Sequence, residues 1–197
     1  MKAYYHARAH EYDDWWLQRG LYAGRAAPGW AEERDAALAA VAALPPRQTL
    51  DVACGTGFVT RLLRGHVVGL DQSPAMLDVA REQAPNAAYV HSDALALPFK
   101  DDAFERVFTS HFYGHLEEDE RARFLAEARR VAPELVVFDA SLHDGEPRAE
   151  WQERRLQDGS RWTVYKRFFT PEGLLDELGG GRALIAGRWF VLVASSR

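Results

Sequence analysis

Leu50 to Phe58 reads LDVACGTGF, and His66 to Asp71 reads HVVGLD. The first is an apolar run that ends in small residues and leads into a helical segment: a strand, a tight bend and a helix start. Backbone N–H groups at such a bend face outward beyond the strand end and make a cradle for a cofactor. Gly55 and Gly57 permit positive φ or close approach of the backbone. Asp51 lies at the start of the run. Asp71 closes the second strand, where a carboxylate can hold a ribose through its hydroxyls.

Outward from this pair the pattern continues as strand 48–53, helix 58–64, strand 66–70, helix 74–83, strand 87–91, strand 104–109, helix 118–130 and strand 134–139. Strands alternating with helices imply right-handed crossovers and a doubly wound, mostly parallel α/β sheet with helices on both faces. Ligands then bind beyond the carboxyl ends of the strands, where Cys54 to Gly57, Asp71, Asp93 and Ser110-His111 fall. RALIAG and RWFVLVAS, joined at Gly187, read as two closing strands. Upstream, residues 2–19 carry no helix breaker and place Tyr5, Tyr12, Trp15 and Trp16 near one helical face. Gly20 to Gly29 is a loop, and an Ala-rich helix from Trp30 to Leu44 stops at Pro45-Pro46.

With 197 residues, 47% hydrophobic and 27% charged, the chain has the composition of one globular domain, 1–197. A net charge of −5 gives no general attraction to nucleic acid or an anionic membrane, and no run approaches membrane-spanning length. The expected setting is cytoplasmic. The single cysteine, Cys54, excludes an internal disulfide and reads as a small filler of the turn. His6 and His10 have no evident third ligand, so no metal site is expected.

Three motifs in order separate the Gly-rich turn from a nicotinamide site. Asp51-x-Ala53-x-Gly55-x-Gly57 has an acid before its glycines and lacks the third glycine of the dinucleotide fingerprint. QSPAML follows Asp71, with Ser73 as helix N-cap and Pro74 at the first helical position. HSDALALPF brings Asp93 to the end of the third strand. Together these resemble the class I S-adenosylmethionine (SAM) dependent methyltransferases, whose fold is Rossmann-like; the resemblance implies that the two closing strands form an antiparallel edge. The departure is Ala53, where many members have glycine. The resemblance implies that Asp51, Ala53, Gly55, Thr56 and Gly57 shape the methionine side, Asp71 and Gln72 the ribose, and Met76, Asp93 and Ala94 the adenine, with Ser110 beside them. YYHARAHEYD, Tyr4 to Asp13, matches a Tyr-rich start common in such enzymes. It implies that Tyr5 and Tyr12 close over cofactor and acceptor and that 1–45 is a helical lid, against the plainer reading of a helix packed on the domain.

Methyl transfer from a sulfonium is an in-line displacement, so few obligatory catalytic residues are needed. SHFYGHL offers His111 and His115 as bases for a hydroxyl or amine acceptor, or as groups that cap the next helix or bind backbone. Residues 141–169 read as an inserted hairpin turning at Asp158-Gly159-Ser160. From Arg148 to Arg167 it holds six basic residues and three acids, suited to an anionic acceptor or to a solvated face or dimer contact. With a three-residue loop Arg154, Trp162, Val164 and Lys166 share a face; with a two-residue loop Arg155 replaces Arg154. The YYHARAHEYD start, the HxxxH segment, and RRLQDG followed by VYKRF are similar to a small O-methyltransferase of phosphonate-antibiotic biosynthesis. That resemblance gives His111, His115, Arg154 and Lys166 counterparts on the acceptor side, with Tyr12, and implies an oxygen acceptor, acidic in character. The alternatives are a nitrogen, carbon or quinone-type acceptor, or a noncatalytic SAM-binding regulator. Either way the ligands are small molecules, and the chain is a monomer or homodimer.

Overall fold

The computed structural model describes the whole chain except Met1, Ala26 and Glu146. Its centre is β1 (Thr49–Val52), buried along its full length and paired in parallel with β2 (Val67–Asp71) on one side and β4 (Arg106–Ser110) on the other. A short strand buried without alternation suits the middle of a sheet covered on both faces. β3 (Ala88–His91) lies beside β2, and β5 (Glu134–Ala140) beside β4. β9 (Phe190–Ser196) runs antiparallel to β5, and β8 (Arg182–Ala186) antiparallel to β9. The seven-stranded order is β3-β2-β1-β4-β5-β9-β8. The order reverses between β1 and β4, which opens a crevice at their carboxyl ends.

Successive residues of β5 feed opposite layers. Leu135 and Val137 pack with Phe124 and Ala128 of α5 (Glu118–Val131) and Leu174 of α6 (Pro171–Glu177). Val136 and Phe138 pack with Trp16, Trp30 and Val41, the last two from α3 (Trp30–Ala42). Glu33 of α3 accepts the backbone N–H groups of Arg188, Trp189 and Phe190 at 3.0, 2.7 and 2.8 Å, pinning the turn before β9. No helix among the described residues is long and apolar enough to cross a membrane.

Two expected helices differ. Residues 58–64 form only a 3₁₀ turn at Thr60–Leu62. β-branched Val59 and Thr60 between Gly57 and Gly65 make a poor short helix, and the Thr60 hydroxyl is taken by Asp51 at 2.7 Å. The N-terminal helix is interrupted: α1 (Lys2–Arg8), a 3₁₀ turn at Ala9–Glu11, then α2 (Asp14–Leu17), which ends at left-handed Gln18 with φ 51°. The breaks let Tyr4 pack on Leu156 and Val164 of the insertion while Trp16 stacks on Phe58 with centroids 5.2 Å apart.

The insertion is a two-stranded hairpin, β6 (Ala149–Arg155) and β7 (Arg161–Arg167), with Arg154 opposite Trp162 and Gln152 opposite Val164. Beyond the Arg155–Arg161 pair the Leu156 N–H donates to the Ser160 carbonyl at 3.0 Å, which leaves the three-residue loop 157–159 as one of the two expected forms. Arg154, Trp162, Val164 and Lys166 therefore share a face.

Candidate active site

Beyond β1 the chain turns through left-handed backbone at Ala53, Gly55 and Gly57, with φ of 59°, 56° and 77°. For Ala53 this costs about 1–2 kcal/mol. A Cβ on Gly57 would lie 3.2 Å from both Cα and Cβ of Ala80, because α4 (Pro74–Gln83) rests on the turn. Asp71 ties the two motifs together: its Oδ2 accepts the Gly55 N–H at 3.0 Å and its Oδ1 the Ser73 N–H at 2.8 Å. Each oxygen keeps a lone pair for a hydroxyl. Ser73 Oγ accepts the Met76 N–H at 3.3 Å, the expected N-cap.

Asp51 Oδ2 accepts from Thr60, but its Oδ1 is buried without a partner. Burial pushes this carboxyl up to about 7, against the lowering effect of the Thr60 hydrogen bond. An orphaned carboxylate oxygen under a glycine turn fits a ligand that presents a cation. SAM presents both an ammonium and a sulfonium, so these residues fit it.

A cavity of about 260 Å³ lies over the crevice. Ala53, Gly55, Asp71 and Gln72 line one side, Met76, Asp93, Ala94 and Ser110 the other, and Tyr5 and Tyr12 reach over it. Of the other residues expected here, Gly57 supports the turn from below, and Thr56 and Asp51 line a small adjoining crevice with Tyr12, Ala53 and Ser110. The Thr56 hydroxyl is bonded at 2.5 Å to Asp13, whose other oxygen takes Gln83 Nε2, also at 2.5 Å. Asp13 thus latches the N-terminal segment to the turn and to α4. His6 has its Nδ1 3.4 Å from Ser73 Oγ.

A second cavity of about 270 Å³ adjoins the first, and Tyr5, Tyr12, His111 and His115 line both. The other walls of the second include Arg8, Arg154 and Lys166. Lys166 is buried, with its Nζ 2.5 Å from Asp139 Oδ1, so its charge is already paired. Burial alone would raise the Asp139 carboxyl, but Lys166, His111 and the Gly114 N–H hold it below the usual range. Arg8 is different. It is 9% exposed, its guanidinium donates to the hydroxyls of Tyr4 at 2.9 Å and Tyr22 at 3.1 Å, it lies 4.9 Å from the Tyr12 ring, and its buried Nε has no partner.

Neither histidine is a ready base. Burial pushes both down to about 3. Lys166 lowers each further, while Asp139 opposes the shift. His111 adopts φ 51° and packs edge-on to Trp15 and Trp16 at centroid distances of 5.0 and 5.1 Å. His115 Nδ1 lies 2.6 Å from the Tyr165 carbonyl, which only accepts, so Nδ1 carries the proton and Nε2 the free lone pair.

Sequence reasoning did not single out Arg8, Asp13 or Asp139. Arg8 and Asp13 lie within the YYHARAHEYD motif, and Asp139 is an acid at the end of an apolar strand, as Asp71 is.

Residues 50–134, from β1 to the start of β5, match the family model described as a methyltransferase domain. Demethylmenaquinone methyltransferase of Thermotoga maritima is 36% identical over 91 residues, 44% of this chain and 39% of that protein. Malonyl-[acyl-carrier protein] O-methyltransferase of Halorhodospira halophila is 40% identical over 122 residues, 55% of this chain and 40% of that protein. The chain thus spans less than half the length of these curated relatives. The solved DhpI–SAM–HEP complex superposes with a TM-score of 0.77 at 26% identity, covering 98% of this chain and 94% of that one. The DhpI–SAH complex gives 0.74 at 26%, covering 98% and 92%. Family match and geometry coincide: residues 50–134, which match the methyltransferase-domain model, are the ones that build β1, the glycine turn, Asp71 and the crevice between β1 and β4.

Proposed function

We propose that this chain transfers the methyl group of SAM to an oxygen of a small acidic acceptor held in the second cavity. The observation that carries the acidic reading is Arg8. A buried guanidinium with no carboxylate partner among the described residues is costly unless an anion joins it, and its unpaired Nε belongs to a residue lining this cavity. Arg154 lines the same cavity, whose walls include no carboxylate among the described residues.

When bound, SAM supplies a methyl group on a sulfonium. Tyr5, Tyr12, His111 and His115 stand at the seam of the two cavities, where the acceptor oxygen must approach. With both histidines pushed down to about 3, they are neutral at pH 7 and weak proton acceptors. An acceptor that arrives as an oxyanion needs no base. The roles of the chain are then to neutralise and aim that anion through Arg8 and Arg154, with Lys166 fixed by Asp139, and to exclude water with the N-terminal segment as lid. The hairpin completes the acceptor side. One relative's name specifies O-methylation, and the structural likeness to DhpI runs over nearly the whole chain, hairpin included. Another relative's name specifies a quinone, so the preference for an acidic oxygen rests on Arg8, Arg154 and the neutral histidines.

A panel of carboxylates, phosphonates, phenols and amines, scored by S-adenosylhomocysteine release in wild type and Arg8→Ala, tests it. Turnover of an acid that falls at least about tenfold in kcat/KM in Arg8→Ala, with SAM affinity retained, is the expected result. Turnover confined to amines or neutral phenols, indifferent to Arg8, overturns it.

A further inference from the structure

The acceptor cavity is not closed on its far side. Trp15, Tyr22, Ala140, Gln152 and Phe168 line it and also line a third cavity of about 450 Å³. The third cavity continues away from the cofactor to Trp30 and Trp189. Its walls thus carry five aromatic side chains, Trp15, Tyr22, Trp30, Phe168 and Trp189, beside polar groups that include Arg25, His143 and Glu150. Trp189 is itself braced: its N–H donates to Glu33 at 2.7 Å, and its ring lies 4.7 Å from that of His143. An acid of two or three carbons fits within the roughly 270 Å³ next to Arg8 and leaves the aromatic extension uncovered. Aromatic walls prefer a ring that can meet them edge-on or offset, and a site for an orientated ligand joins an apolar body to a few fixed polar groups.

We infer that the acceptor is an amphiphilic acid, its anionic group at Arg8 and Arg154 and an aryl tail reaching past Phe168 toward Trp30 and Trp189. This rests on the acidic-acceptor reading for its head and on the third cavity for its tail. The two ends are separable by experiment.

Three probes are titrated calorimetrically into the SAH-loaded protein: butyrate, 4-phenylbutyrate and the neutral 4-phenyl-1-butanol. The same titrations are made with Trp189→Ala, a residue that lines only the third cavity of the three. The expected result is 4-phenylbutyrate binding at least about tenfold tighter than butyrate, from burial of one ring, with that ratio reduced several-fold in Trp189→Ala. The alcohol should bind more weakly than the aryl acid. If the alcohol matches the aryl acid and both exceed butyrate, the tail site stands and the acidic head is wrong. If butyrate matches 4-phenylbutyrate and Trp189→Ala changes nothing, the tail site is overturned while the acidic reading survives. Binding of none of the three overturns both.

Discussion

Asp51→Asn isolates one proton in the cofactor site. Burial lifts the Asp51 carboxyl to about 7 from its ordinary 3.8. Ionising the group in place thus costs roughly 4 kcal/mol. The folded protein therefore holds a proton that the unfolded chain releases. This contribution to stability is complete below about pH 4 and is lost as the pH rises toward 7. A cation placed against the orphaned Oδ1 reverses the balance by favouring the carboxylate, so SAM binding should release a proton. If only the ionised form binds, the dissociation constant weakens about tenfold per pH unit below 7, and by roughly 100-fold at pH 5. Asp51→Asn removes the proton, so its affinity should be flat over this range and about 10- to 100-fold weaker than wild type at pH 8. The assay is calorimetric titration with SAM from pH 5 to 8 in buffers of different ionisation enthalpy, which reads the proton directly, with thermal melts confirming the fold. SAM's own amino group titrates in both proteins and cancels in the comparison. A flat wild-type profile, or an equal slope in Asp51→Asn, would refute the reasoning. The second result would move the proton to another group, such as Asp71, which burial also raises.

Other changes probe the acceptor side and the frame. Because His111 and His115 both lie near 3, the pH profile of kcat should show no histidine inflection between 5 and 8, and His115→Asn should cost less than about tenfold in kcat; an inflection near 6.5 that vanishes in His115→Asn would restore the general base. Gly57→Ala forces a Cβ to 3.2 Å from Ala80 at φ 77° and should lower stability by about 1–3 kcal/mol, seen as a drop in Tm. Ala53→Gly relieves left-handed backbone at a cost in chain entropy, and the net should be a gain of up to about 1 kcal/mol in a denaturant titration. Asp13→Ala cuts both bonds of the N-terminal latch, so amide exchange in residues 2–17 should speed up and SAM affinity should fall, while the sheet remains protected.

The parallel sheet was legible because its cues are local: apolar runs, small-residue turns and the Ser73-Pro74 helix start need no distant partner. The two closing strands were legible for the same reason, whereas their antiparallel pairing came only with the family resemblance. The loss of helix 58–64 was not, because it depends on a tertiary bond, Thr60 to Asp51, that outweighs weak propensity. The break in the N-terminal helix likewise follows from Tyr4 and Trp16 seeking different cores. Among the site residues, the turn and Asp71 could be read because strand ends converge by topology. Arg8 could not be distinguished from an ordinary helical surface arginine, since its meaning lies in Tyr4, Tyr22 and the hairpin closing around it. Lys166 was legible as a cation on the right face, but its pairing with Asp139 joins segments 27 residues apart and left no local trace.

We assign the crevice over β1 and β2 to an adenosyl sulfonium held through Asp71 and the glycine turn. Calorimetric titration of wild type and Asp71→Ala with SAM, S-adenosylhomocysteine and NAD tests it most directly. One-to-one binding of both adenosyl ligands, weakened at least about tenfold in a folded Asp71→Ala, with no binding of NAD, is the predicted result. Binding of NAD with neither adenosyl ligand would contradict the cofactor assignment and every residue role built on it.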